Sequence, residues 1–265
     1  MTGTIRFDDG SAYERYMGKW SQAAGEAFLR WLAPSPGLRW LDVGCGNGAF
    51  TELLVQHCAP ASIHGIDPSA EQLAHARGRP LLRQARFREG DAQALPFGDG
   101  EFDIAVMPLV IFFLVEPARG VREMARVVTP GGTVAAYAWD MEGDGFPYAT
   151  LLRLMREMGL EVPAPPSPEA SRRDVLLSLW TGAGLESVDS TEIVVERTFA
   201  DFDDYWATVL GSASAGAQLR SLSADDTLRL QARLRAGIPA DAAGRVAYRA
   251  RANAVTGRVP VAPGR

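Results

Sequence analysis

The chain has 265 residues, 47% of them hydrophobic and 22% charged, with a net charge of −5. That is ordinary for a globular chain with a disulfide-free core, and with no basic stripe for a phosphate backbone it excludes a nucleic-acid partner. No apolar run approaches the ~20 residues of a membrane span, the acidic start MTGTIRFDDG is no signal peptide, and two lone cysteines, Cys45 and Cys58, point to a cytoplasmic setting.

The spacing of Tyr13, Tyr16, Trp20, Phe28 and Trp31 predicts a helix over residues 11–33, stopped by Pro34. LRWLDVG (38–44) reads as a buried strand running into a glycine turn, and GAFTELLVQHCA (48–59) as a helix. SIHGIDP (62–68) is a second strand ending at Asp67, followed by a helix over 69–79 that Ser69 would cap. ARFREGDA (85–92) leads a third strand to Asp91, and FDIAVMP (102–108) is a fourth. A helix follows over 117–128, with Pro117 in its first turn. Pro130-Gly131-Gly132 predicts a turn before a fifth strand, TVAAYAW (133–139). Short apolar strands alternating with helices imply a parallel sheet flanked by helices.

Regularity falls after residue 140. VPAPPSP (162–168) reads as a stiff connection, and the segment after it as a helix, a turn and a strand through IVVERTF (193–199). Two more helices are expected in 202–211 and 223–237, capped by Asp201 and Ser223. RVAYRARANAVTGRV (245–259) alternates like a last strand, so the two helices would form a lid inserted between the final strands. Arg245, Arg249, Arg251 and Arg258 read as solvated edge residues or as an anion-binding rim.

The informative stretch is LDVGCGNGAF (41–50). GCGNGA fits the dinucleotide fingerprint G-x-G-x-x-[GA], and Asp67 stands where that fingerprint expects an acid for ribose hydroxyls. Two further acids argue against a dinucleotide. Asp42 precedes the glycines, where it would oppose a pyrophosphate. Asp91 follows the third strand, so the three acids would share one crevice at the strand ends. A ligand with a ribose and amines but no phosphate suits such a rim.

Here the sequence resembles the class I S-adenosylmethionine (SAM)-dependent methyltransferases. LDVGCGNGAF looks like their first motif, GIDPS their second, GDAQALPFGDGEFDIAV their third and fourth, and ARVVTPGGTVAAYAW the helix and strand that follow. The resemblance covers residues 38–140. It is closest to the branch of the ubiquinone and menaquinone C-methyltransferases, as is YERYMGKWS before the core. It implies a Rossmann-like, seven-stranded, mostly parallel sheet, with a helical cap (1–35), a SAM-binding core (36–140), and a region that completes the sheet and carries the lid (141–265). It also implies that Asp42 and the backbone of Gly44, Gly46 and Gly48 hold the methionine end. Asp67 would take the ribose hydroxyls, Asp91 the adenine amino group and the Ala92 amide the ring. Pro68 and Leu95 would wall the adenine, Met107 would lie near the sulfonium, and Tyr16 and Trp20 would close over the cofactor.

The implied reaction is methyl transfer from SAM to a small-molecule acceptor, leaving S-adenosylhomocysteine (SAH). C- or O-methylation is expected, because VMPLV after the fourth strand lacks the acidic and Asn-Pro-Pro-Tyr patterns of several N-methyltransferase groups. Asp140 is the candidate base or orienting group, and Trp139, Tyr148, Tyr205 and Trp206 are candidate acceptor walls. His57, His64 and His75 are weaker candidates for a base, and no residue cluster has metal-ligand spacing. A homodimer is allowed for. Two other readings stay open: a SAM-binding protein of this fold that transfers no methyl, and an NAD-dependent oxidoreductase.

Overall fold

Strands covered by helices on both faces are apolar on both sides. In the computed structural model, which describes residues 17–212, 215–238 and 240–261, such segments form β1 (Arg39–Val43), β2 (Ser62–Asp67), β3 (Arg86–Glu89), β4 (Phe102–Pro108) and β5 (Val128–Trp139). Two longer strands, β6 (Glu186–Phe199) and β7 (Val246–Arg258), complete a seven-stranded sheet in the order β3-β2-β1-β4-β5-β7-β6. β1 to β5 pair in parallel, and β7 runs antiparallel to both its neighbours. The sheet is mostly parallel, as expected. Strand order reverses between β1 and β4, and in open α/β sheets a crevice opens at that point beyond the strand ends.

The helices are α1 (Lys19–Leu32), α2 (Ala49–Cys58), α3 (Ala70–Gly78), α4 (Pro117–Val127), α5 (Ala149–Glu157), α6 (Arg173–Gly182), α7 (Phe202–Leu210), α8 (Gly216–Ser221) and α9 (Ala224–Gly237). Three expected caps form. Ser69 accepts from the Gln72 amide (3.2 Å), Asp201 from Asp204 (2.8 Å) and Ser223 from Asp226 (3.0 Å). α1 buries Trp20, Ala24, Phe28 and Leu29 along one face. α6 is pinned to the sheet by the Trp180 indole, which donates to the Val134 carbonyl at 2.9 Å. Among the described residues no helix is long and apolar enough to cross a membrane.

Three expectations change. α5 lies in a region read as irregular, and α8 makes the insertion between β6 and β7 three helices instead of two. Pro130-Gly131-Gly132 is an irregular opening of β5 instead of a turn before it. Pairing with β4 shifts register there, and Gly131 and Gly132 exchange backbone hydrogen bonds with Val259. The β7 arginines do not form a free anion rim. Arg249 pairs with Glu196, Arg251 with Asp140 and Arg245 with Asp241, while Arg258 donates to the Gly131 carbonyl.

Candidate functional site

Beyond the ends of β1, β2 and β4 lies a cleft of about 1490 Å³. Typical ligand pockets measure roughly 300–1,000 Å³, so this one has room for a cofactor and a second molecule. Its floor is the loop between β1 and α2. Gly44 sits at φ 74°, and a Cβ there would lie 2.4 Å from the Val110 side chain, so the turn admits only glycine. Gly46 sits at φ 51° with nothing within 4 Å of a would-be Cβ, which leaves its backbone open to the cleft. Gly44 and Gly46 line the cleft; Gly48 caps α2 and does not.

Asp67 lies on the wall beside this loop. Its Oδ2 accepts from the Gly46 amide and its Oδ1 from the Ser69 amide, both at 2.9 Å. Burial raises its pKa, opposed by these two hydrogen bonds. Each oxygen keeps a lone pair to spare, as recognition of a diol requires. Pro68, Asp91 and Ala92 continue the same wall. Asp91 stands two residues past the end of β3, where the Gln93 amide donates to it at 2.8 Å.

Asp42 is placed differently from the expectation. It is fully buried beneath the loop and does not line the cleft. Its Oδ2 accepts from the Thr51 hydroxyl at 2.7 Å, while its Oδ1 is sealed from water with no partner. Burial pushes its pKa up to about 7; the Thr51 hydrogen bond opposes this and nearby Asp67 adds to it.

Several other expected residues are core, not wall. Met107 is buried inside β4, and Pro108, Leu109 and Val110 reach the cleft in its place. Leu95 is buried off the wall. Trp20 is turned inward, donating its indole N–H to the Tyr148 hydroxyl at 3.2 Å, while Lys19, Ser21 and Gln22 beside it face the cleft. Tyr16 lies outside the described residues. Tyr148 and Tyr205 belong to an aromatic cluster with Trp20 and Tyr248. Trp139 is buried, and Trp206 stacks on Phe202, both away from the cleft. Large aromatic rings stabilise most when fully buried, which is where Trp20, Trp139, Tyr148 and Tyr205 went, while Trp206 is partly buried.

Asp140 does not face the cleft either. Strand register sets it beside Arg251 of β7, whose carbonyl accepts the Asp140 amide. Its Oδ2 then takes the Arg251 guanidinium at 2.6 Å, and its Oδ1 the Gly143 amide at 2.9 Å. No histidine lines the cleft. His57 and His75 are exposed on helices, and His64 lies between Phe97 and Phe102 with its pKa lowered by burial. Among the described residues no cluster of acids, histidines and cysteines could hold a metal ion.

Residues not singled out from sequence complete the walls. Phe113, Leu114 and Val115 follow β4, and Pro165 and Pro166 come from the stiff connection, which is tied down by Ser167 to Phe112 and Leu114. Ala207, Thr208 and Gly211 form the face of the α7 segment toward the cleft, and Tyr137 reaches it from β5. Arg79 is committed to Glu52 (2.6 Å) and the Asn47 carbonyl (2.7 Å). Only the proline stretch carried a local signal, as a rigid element. The small side of α7 reads in sequence like any solvent face.

These residues suit SAM. The acids of the rim match a diol, amines and a cation, and among the described residues the one arginine on the wall, Arg79, is already paired with Glu52. Comparison with known proteins agrees. Residues 41–136 match the methyltransferase domain family. Malonyl-[acyl-carrier protein] O-methyltransferase of Pectobacterium atrosepticum is 33% identical over 123 residues, covering 46% of this chain and 47% of that protein. The 2-phytyl-1,4-naphtoquinone methyltransferase of Synechocystis is 36% identical over 122 residues, 44% of this chain and 51% of its own. The matches thus span about half of these relatives. In fold, phosphoethanolamine N-methyltransferase 2 of Haemonchus contortus, solved with SAH, superposes with a TM-score of 0.60 at 17% identity, over 96% of this chain and 58% of that one. By sequence and by motif order, residues 41–136 of this chain are similar to the methyltransferase domain family, and the relatives matched over that stretch include a quinone methyltransferase.

Proposed function

We propose that the chain is a SAM-dependent methyltransferase acting on a small, largely apolar molecule by C- or O-methylation. The observation that carries this is Asp67, held by two amides on the wall of a cleft whose other half is apolar. In this reading residues 36–140 bind the cofactor, residues 1–35 cap it, and residues 141–265 complete the sheet and roof the acceptor.

The cofactor brings an electrophilic methyl group on a sulfonium, whose leaving thioether is neutral and needs no acid. Asp67 accepts both ribose hydroxyls, Asp91 and the Ala92 amide meet the adenine, and the Gly44–Gly46 backbone receives the amino acid tail. Asp42 sits beneath that tail and offers its unpaired oxygen to the positive charge above. Leu109, Val110 and the proline segment exclude water and hold the acceptor in line.

Titration calorimetry tests the reading. SAM and SAH are expected to bind, and NAD to give no heat. Absence of binding by both SAM and SAH would sink it. Tight SAM binding with no SAH formed across an acceptor panel would assign a non-methylating role. Asp140 carries a separate expectation. Asp140→Asn should leave SAH affinity unchanged but lower stability by about 1–3 kcal/mol, since it breaks the pair with Arg251. Denaturant unfolding measures the second effect; a loss of SAH affinity would return Asp140 to the site.

A further inference from the structure

The ionisable groups of the cleft narrow the class of acceptor, given the methyltransferase reading on which this step rests. Asp67 and Asp91 belong to the cofactor rim. Glu52 and Arg79 neutralise each other at 2.6 Å. The Cys45 thiol is pushed well up by burial, first of all, and by Asp42 and Asp67 beside it. Tyr137 is buried and packs its ring 4.7 Å from that of Phe28. Among the described residues, the part of the cleft bounded by Val110, Phe113, Leu114, Val115, Pro165 and Pro166 offers no acid and no imidazole. Asp140 is tied to Arg251 elsewhere.

Among the described residues, one charged side chain remains. Lys19 is exposed at the start of α1, lines the cleft, and makes no ion pair among the described residues. It is the only lysine in a chain with 27 basic residues. The cofactor's own carboxylate has other donors, the Phe50 and Thr51 amides in the first turn of α2, which have no acceptor within the helix and no capping side chain.

We infer that the acceptor is an apolar molecule bearing a carboxylate, that Lys19 supplies the counter-charge, and that methylation occurs on the carboxylate oxygen. The chemistry selects among nucleophiles. Phenols and aliphatic amines carry their proton at neutral pH, with ordinary pKa values of about 10, so they would need a base that this wall lacks. A carboxylic acid is ionised above about pH 4 and attacks as it arrives. A lone pair on the carboxylate oxygen forms the bond to the methyl carbon as the carbon–sulfur bond breaks, and that electron pair stays on sulfur. No proton moves, and the products are a methyl ester and SAH. An unpaired carboxylate against apolar walls would be costly, which is what Lys19 offsets.

The test uses the whole chain, methyl-labelled SAM, and decanoate, decanol and decylamine as probes. Label is expected only with decanoate, in a product that releases methanol in alkali. At saturating SAM the rate should be flat between about pH 6 and about pH 8, since no base titrates. Lys19→Met should lower kcat/KM for decanoate about tenfold and leave SAH affinity unchanged. Label in decanol or decylamine, no ester from decanoate by a protein that binds SAH, or a Lys19→Met variant that loses SAH affinity but keeps ester formation would each overturn the inference. Wild-type protein that binds neither SAM nor SAH would overturn the methyltransferase reading itself.

Discussion

Asp67→Ala is expected to weaken SAH binding about 100-fold or more while the fold survives. A hydrogen bond to a charged group contributes about 1.5–3 kcal/mol, and a ribose offers two hydroxyls to one carboxylate. The loss is then about 3–6 kcal/mol, and each 1.4 kcal/mol is a factor of ten. The cost to the fold is small for a specific reason. Asp67 stands at a cleft wall, so the Gly46 and Ser69 amides it releases can turn to water. Its raised pKa shows that the native site disfavours its charge, so removing it deletes no net electrostatic support. Asp67→Asn, which keeps the shape and one acceptor oxygen, should fall between alanine and wild type. Calorimetry with SAH and a thermal melt of each variant separate the two effects. Unchanged affinity in Asp67→Ala would take this residue out of ribose recognition.

The contrast between Asp67 and Trp206 shows what was legible in the sequence. Asp67 closes a short apolar strand and is followed by a proline, so its place at the sheet's crevice follows from chain-local pattern. The same holds for β4, whose segment FDIAVMP coincides with the observed Phe102–Pro108. The acceptor walls obey no such rule. α7 carries Trp206 and Tyr205 beside Ala207 and Thr208, and the aromatic pair looked the better wall. Packing decided otherwise. Tyr205 joins the buried cluster under the lid, and the small residues are left to face the cleft. Asp140 shows the same limit: its partner lies 111 positions away on β7, and the register that joins them is invisible to local reading. α5 also went unread; it follows an irregular stretch, and its N-cap position holds Tyr148, which makes no capping hydrogen bond.

Asp42→Asn is expected to stabilise the chain at neutral and alkaline pH and to flatten its stability profile. The native carboxyl has its pKa raised to about 7, chiefly by burial, with one oxygen sealed and unpartnered. Unfolded, it titrates near its ordinary value of about 4. Below that value both states carry the proton and the group makes no difference. Between about 4 and about 7 the native state holds more protons than the unfolded one, so stability falls as pH rises. Above about 7 the full cost is in place, on the order of 4 kcal/mol. Asparagine removes that titration. It keeps an acceptor for the Thr51 hydroxyl, but its amide N–H groups take the unpartnered position at a cost of about 1–3 kcal/mol. Near pH 5 the variant should therefore be no more stable than wild type, and near pH 8 it should be the more stable of the two. Urea unfolding of both proteins across this range reads the difference directly. Parallel profiles would mean that Asp42 titrates alike in both states. The same substitution removes the negative charge under the glycine loop, so it should also weaken binding of the cationic cofactor more at pH 8 than at pH 6, when the wild-type group is ionised and protonated respectively. A variant that gains stability and loses affinity together would show that this buried acid is kept for its ligand at the expense of the fold.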